Sequence, residues 1–109
     1  MLAIGIDLGT SGIKAVLLED ARNVLASAHR PIAVSIPAVG HSEQDADGWV
    51  NAVFACLDEL AAAHPGHMGA VAGIGLSGQM LSALLLDGDL RPLRPAMLLG
   101  FKFQVQRLI

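Results

Sequence analysis

A chain of 109 residues has room for one small domain. Hydrophobic residues make up 53% of it and charged residues 16%, which suits either a small domain with a generous core or a piece of something larger whose apolar interface is exposed, through which copies could self-associate. A formal net charge of −3, with three Phe, one Trp and no Tyr, excludes nucleic acid as a partner, because neither a basic footprint nor a stacking platform is present.

No apolar run reaches the ~20 residues that cross a bilayer, so no membrane is expected as a partner. The first residues carry no basic region of a secretory signal, and the chain reads as cytoplasmic. The single cysteine, Cys56, cannot form an internal disulfide and falls in an apolar helical pattern, where it reads as a small buried hydrophobe.

The first element runs from Ile4 to Leu8 and the second from Ile13 to Leu18, joined by Gly9, Thr10, Ser11 and Gly12. Two apolar runs around a four-residue turn predict a strand, a turn and a returning strand. Asp7 closes the first strand, an element expected to be buried. A carboxylate there is costly unless a metal ion or hydrogen-bond donors partner it. The turn offers two hydroxyls, a run of backbone N–H groups and glycines that admit a bulky group to the main chain. One reading is a carboxylate that holds Mg²⁺ beside a phosphate cradle. The other is an ordinary hairpin whose bend is rich in Gly and Ser.

The second strand runs on to Glu19, and Val24 to Arg30 returns as a third. Such tight spacing predicts an antiparallel meander with no crossover helix. Pro31, Pro37, Gly40 and the polar Ser42 to Gln44 predict an extended connection. A helix follows, with Asp45 as N-cap, Asp47 in the first turn, and Trp49, Val53, Leu57 and Leu60 as its core stripe, with Ala52, Cys56 and Ala63 as small neighbours. Pro65 and Gly66 end it after His64. Met68 to Leu76 reads as a buried strand at the centre of a mixed sheet. Leu81 to Leu86 reads as a further strand, Asp87 to Asp89 as a turn, and Pro95 to Leu99 as a last short strand. One main helix among six strands predicts an α/β or α+β layering.

Several motifs lack their chemistry. Gly73 to Gly78 spells the dinucleotide fingerprint, but its glycines fall inside a strand and no acidic residue occurs after Asp89. His41-Ser42-Glu43 lacks the cysteine pairs of a zinc deaminase. His64 and His67 flank a Pro-Gly turn as solvated histidines without the further ligands that zinc requires. Gln79 and Met80 follow the strand where an open sheet would present a crevice. There they either line a small pocket or form a turn with one buried Met.

Taken together, four ordered words resemble the FGGY family of carbohydrate kinases, in particular its xylulokinases. They are Gly5 to Ala15, then Ser42-Glu43-Gln44-Asp45 with Trp49, then Ile74-Gly75-Leu76-Ser77-Gly78-Gln79-Met80, then Leu93-Arg94-Pro95-Ala96. The resemblance implies the actin-like ATPase (ribonuclease H-like) fold, of which residues 1–99 would be part of the first domain, a truncated α/β piece with a mixed sheet and one main helix. Residues 100–109 would be a divergent tail. It implies ATP-dependent phosphorylation of a ketose, D-xylulose to D-xylulose 5-phosphate. By the same resemblance Asp7 would position magnesium-bound nucleotide, touching Mg²⁺ through water. Gly9, Thr10, Ser11 and Lys14 would face the phosphates, and Gln79, Met80 and Leu81 the sugar.

The departures from the family pattern are specific. Leu81 stands where the family has His, and Leu99, Phe101 and Phe103 stand where Trp, Asp and Arg are expected. The family's catalytic base falls beyond residue 109, so the chain alone is expected to be inactive. Two other readings stay open: a non-catalytic module that binds phosphate, sugar or a partner protein, and a kinase of the same family acting on another polyol or pentulose.

Overall fold

The computed structural model describes residues 1–78 and 82–98. Strand β1 (Leu2–Leu8) runs antiparallel to β2 (Gly12–Glu19), with Ile4 opposite Leu17, Ile6 opposite Ala15 and Asp7 opposite Lys14. β2 in turn pairs antiparallel with β3 (Asn23–Pro31). The β2–β3 bend puts both Asp20 (φ 53°) and Ala21 (φ 57°) in the left-handed region, with Arg22 N–H donating to Glu19 O at 3.2 Å. Two successive positive φ values give the turn whose twist suits flanking strands. The terminal amine of Met1 pairs with Asp20 at 2.7 Å, and that hydrogen bond raises the amine's pKa.

The extended connection after β3 ends in β4 (Glu43–Gln44), and α1 (Ala46–Ala63) follows directly. Asp45 caps it, accepting from Asp47 N–H at 3.1 Å. A short helix, α2 (Pro65–Gly69), leads to β5 (Val71–Ser77), which lies parallel to β1. A strand, a helical crossover and a parallel strand are what this spacing permits. The described sheet therefore reads β3-β2-β1-β5, and β6 (Ala96–Met97) pairs with β4 in a separate two-stranded sheet.

The core lies between one sheet face and α1. Ile4 and Ile6 of β1, Ile13, Ala15 and Leu17 of β2 and Ala28 of β3 pack with Ala52, Cys56 and Leu60 of the helix. Small residues at 52 and 56 let the helix backbone approach the strands. Cys56 is fully buried, with Sγ 3.9 Å from Ile13 O, and burial pushes its thiol pKa up. Arg30 of β3 and Glu59 of α1 pair at 2.9 Å on the rim, a half-exposed contact of little energetic weight.

Four expectations need correction. The helix core stripe is Ala52, Cys56 and Leu60; Val53 and Leu57 are only half-buried, and Trp49 is half-buried and hydrogen-bonded. The strand expected over Met68 to Leu76 begins at Val71, with Met68 in α2 where a Pro-Gly turn was expected. That strand is neither central nor buried: β5 is the edge of the described sheet, and Ile74 and Leu76 are 60% and 71% exposed. Both share a face with Ile4 and Ile6, but α1 lies over β2 and β3 and does not reach them. The third strand pair is also looser than expected. Between residues 82 and 95 the described chain makes only isolated bridges, Ala83 with Met97 and Leu86 with Pro92. Leu81, Leu99 and the tail 100–109 lie outside the described residues.

Among the described residues no helix is long and apolar enough to cross a membrane. Leu17, fully buried at the centre of the helix–sheet contact, is the test of this core. Leu17→Ala is expected to cost about 2–5 kcal/mol, read as a lower denaturation midpoint with an unchanged urea slope.

Candidate functional site

Because side chains alternate along a strand, burying Ile13, Ala15 and Leu17 sends Lys14, Val16 and Leu18 to the opposite face. The same alternation in β1 puts Ala3, Gly5 and Asp7 there. Register extends the row across all four strands at the end nearest the first bend: Ser77 of β5, Asp7 of β1, Lys14 of β2 and His29 of β3. Ser77 Oγ donates to Asp7 Oδ1 at 3.0 Å. A shallow cavity of about 530 Å³ opens on this face, lined by Ala3, Gly5, Asp7, Lys14, Val16 and Ser77 among others.

Asp7 is exposed on this open face, contrary to the expectation that its element would bury it. The reason is the one-sided packing of α1. The carboxylate therefore avoids the desolvation cost that would have required a permanent partner, and it is accessible to an incoming ion.

The bend that follows is short. Gly9 N–H donates to Gly12 O at 2.9 Å, leaving exposed Thr10 and Ser11 at the tip. Neither tip residue takes a left-handed backbone. The glycines are required by space: a Cβ on Gly9 would lie 3.0 Å from Gly12 O, and one on Gly12 would lie 2.8 Å from Arg30 O and collide with His29 Nε2. The main chain carbonyls of the tip point inward. Thr10 O accepts from Gln44 Nε2 at 2.6 Å, and Ser11 O accepts from Ile32 N–H at 3.1 Å.

The structure thus brings together Asp7, Gly9, Thr10, Ser11 and Lys14, while Gln79, Met80 and Leu81 lie outside the described residues. Three neighbours were missed by the sequence reading, the first being Ser77, which meets Asp7 through the β1–β5 pairing. His29 reaches the bend only through the β2–β3 register, which no local motif announces. Gln44, over thirty residues away in sequence, touches Thr10 only because β4 folds back beneath the hairpin. The one available signal was Gln44's place in a motif word otherwise read as connection.

Among the described residues no group of three or more His, Cys, Asp and Glu is arranged to hold a metal ion. That donor set still suits magnesium, which takes one or two carboxylates and completes its shell with waters and substrate phosphates. One accessible carboxylate, two hydroxyls, a lysine and a bend flanked by two glycines can together receive a magnesium-bound polyphosphate.

Known proteins are similar to this chain in sequence and in fold. The family model of the FGGY family of carbohydrate kinases, N-terminal domain, matches residues 2–100. The xylulose kinase of Klebsiella pneumoniae is 46% identical over 95 residues, 87% of this chain and 19% of that protein. That of Escherichia coli (strain K12) is 42% identical over 95 residues, with the same coverage. Among solved structures, a xyloylose kinase from Brucella ovis superposes with a TM-score of 0.89 at 46% identity, covering 93% of this chain and 21% of that one. A Plasmodium falciparum glycerol kinase with ADP shares the fold at TM-score 0.80 and 17% identity, over 98% of this chain and 22% of that one. The chain spans about a fifth of the length of the curated relatives it matches.

The bend's dependence on empty space is directly measurable. Gly12→Ala is expected to destabilise by about 1–3 kcal/mol through overpacking against Arg30 O and His29. Gly48→Ala, whose Cβ would meet nothing within 4 Å, is the matched control and should cost nothing in thermal melts.

Proposed function

The chain belongs to the FGGY family of carbohydrate kinases, and from that membership we propose that it carries the phosphate-gripping part of an ATP-dependent kinase that converts D-xylulose to D-xylulose 5-phosphate. The observation that supports this most is the row of Ser77, Asp7 and Lys14 set beside the glycine-flanked bend on the open sheet face.

In this reading Asp7 meets Mg²⁺ through water, with Ser77 Oγ holding one carboxylate oxygen so that the other faces outward. Thr10 and Ser11 offer their hydroxyls and Ser11 its backbone N–H to the phosphates, Gly9 gives them room to approach while its own N–H stays on Gly12 O, and Lys14 adds a positive charge one strand away. Bound magnesium would neutralise charge on the phosphate oxygens; the protein's own share is positioning. By the family resemblance Gln79, Met80 and Leu81, which lie outside the described residues, would be the ones to meet the sugar. Leu81 cannot hydrogen-bond a hydroxyl, which bears directly on sugar choice.

The family's catalytic base matches no residue of this chain. Absence of a general base costs about 10²–10⁴-fold, so the 109-residue chain should bind nucleotide without measurable turnover. The exposed Ile74 and Leu76 of β5 favour one more property, association with a second copy through the open strand edge.

Titration calorimetry with Mg·ATP tests the central claim. Asp7→Asn should weaken binding by about tenfold or more, the loss of one charge-assisted contact; an unchanged affinity overturns the assignment of Asp7. Robust phosphorylation of D-xylulose, D-ribulose or glycerol by the chain alone would overturn the claim of binding without turnover. For self-association, Leu76→Lys should shift sedimentation toward monomer, and a wild-type chain that is monomeric at high concentration would refute it.

A further inference from the structure

Gln44 is a neutral polar side chain only 1% exposed. A buried amide is costly unless its donors and acceptor are satisfied, and here its hydrogen bonds run in one direction. Trp49 Nε1–H donates to Gln44 Oε1 at 2.9 Å, and Gln44 Nε2 donates to Thr10 O at 2.6 Å. An indole N–H can only donate. It therefore fixes which end of the amide is oxygen, and so aims the NH₂ group at Thr10.

The backbone beneath that amide is held on three sides. Glu43 exchanges both backbone hydrogen bonds with Ser35, at 2.8 and 2.9 Å, and its side chain pairs with Arg94 at 3.3 Å. Gln44 itself lies opposite Ala96 in the β4–β6 ladder, and the next residue, Asp45, caps α1. The side chain is thus a short strut from a fixed base to the tip of the bend.

A trans peptide is planar, with its C=O and the following N–H pointing in opposite directions. Drawing Thr10 C=O inward onto Gln44 necessarily turns Ser11 N–H the other way, outward from the exposed tip. We propose that Gln44 is a positioning residue: through the Trp49–Gln44–Thr10 relay it sets the Thr10–Ser11 peptide so that Ser11 N–H faces an incoming phosphate oxygen. The anion-binding consequence rests on the phosphate reading of the bend; the orientation of the peptide does not.

Amide proton–nitrogen spectra of the 109-residue chain separate the two. Gln44→Glu keeps an acceptor for Trp49 but replaces the donor to Thr10 O with a second acceptor. The expected result is a retained Trp49 indole resonance, displaced Ser11 and Gly12 amides that exchange faster with solvent, and Mg·ATP affinity lowered about tenfold. A merely space-filling residue would leave Ser11 unmoved and would be replaced without loss by Met, so Gln44→Met serves as the second variant and should reproduce the Ser11 displacement while also shifting the indole. If Gln44→Glu does not fold, Trp49→Phe, which leaves the glutamine in place, should displace Ser11 in the same direction. Unchanged Ser11 and Gly12 amides across these variants overturn the proposal. Failure of the wild-type chain to bind Mg·ATP would refute the phosphate reading, and the spectra would still decide the strut.

Discussion

The period-two alternation of β2, locked by the helix lying on one side of it, is the constraint from which the site follows. Ile13, Ala15 and Leu17 are almost completely excluded from water against Ala52, Cys56 and Leu60. Their burial leaves Lys14 no choice of face. A one-residue slip in register would carry Lys14 into the core and bring three apolar side chains out, so the hydrophobic contact itself prevents it. Through the same pairing, Asp7, Ser77 and His29 are brought into line with Lys14. Four polar groups from four strands are held in a row chiefly by burial on the other face of the sheet, with one side-chain hydrogen bond, Ser77 to Asp7, among them.

One-sided packing also explains why the acid is available. α1 covers β2 and β3 and leaves the other sheet face open, so Asp7 stays solvated until something arrives that outcompetes water. Helices on both faces would have closed the floor of the groove over Gly5 and Val16. The same economy leaves Ile74 and Leu76 uncovered on the helix side of β5.

Much of this was legible from local pattern. The two hairpins, the Asp45 cap, the end of the helix at His64 and the bend at Gly9 to Gly12 are each announced by neighbouring residues, since alternation, capping and turn chemistry act over a few positions. What escaped depends on which element covers which. Met68 to Leu76 has the continuous apolar run of a central strand, yet its burial is decided by where α1 lies, and sequence periodicity does not encode that. Trp49 sits on the apolar stripe of the helix and reads as core, but the indole N–H needs an acceptor when partly buried, and it finds Gln44. The polar partners of the bend were the least visible because Thr10 meets residue 44 and Gly12 meets residue 29 only after the strands have paired.

The side-chain contacts of this fold differ in what they can hold. Arg30 with Glu59 and Met1 with Asp20 are rim or surface ion pairs, screened by salt and free to exchange with water. They tether elements without fixing an atom's direction. Gln44 is buried, uncharged and oriented by a donor that has no alternative role, so its bond to Thr10 is directional and insensitive to ionic strength. A bend that must present N–H groups at a set angle to a highly charged ligand gains from a neutral internal support, because a charged one would change its grip each time the ligand came or went. On that ground the strut beneath the bend, and not a surface ion pair, is the element suited to keeping the tip in one conformation.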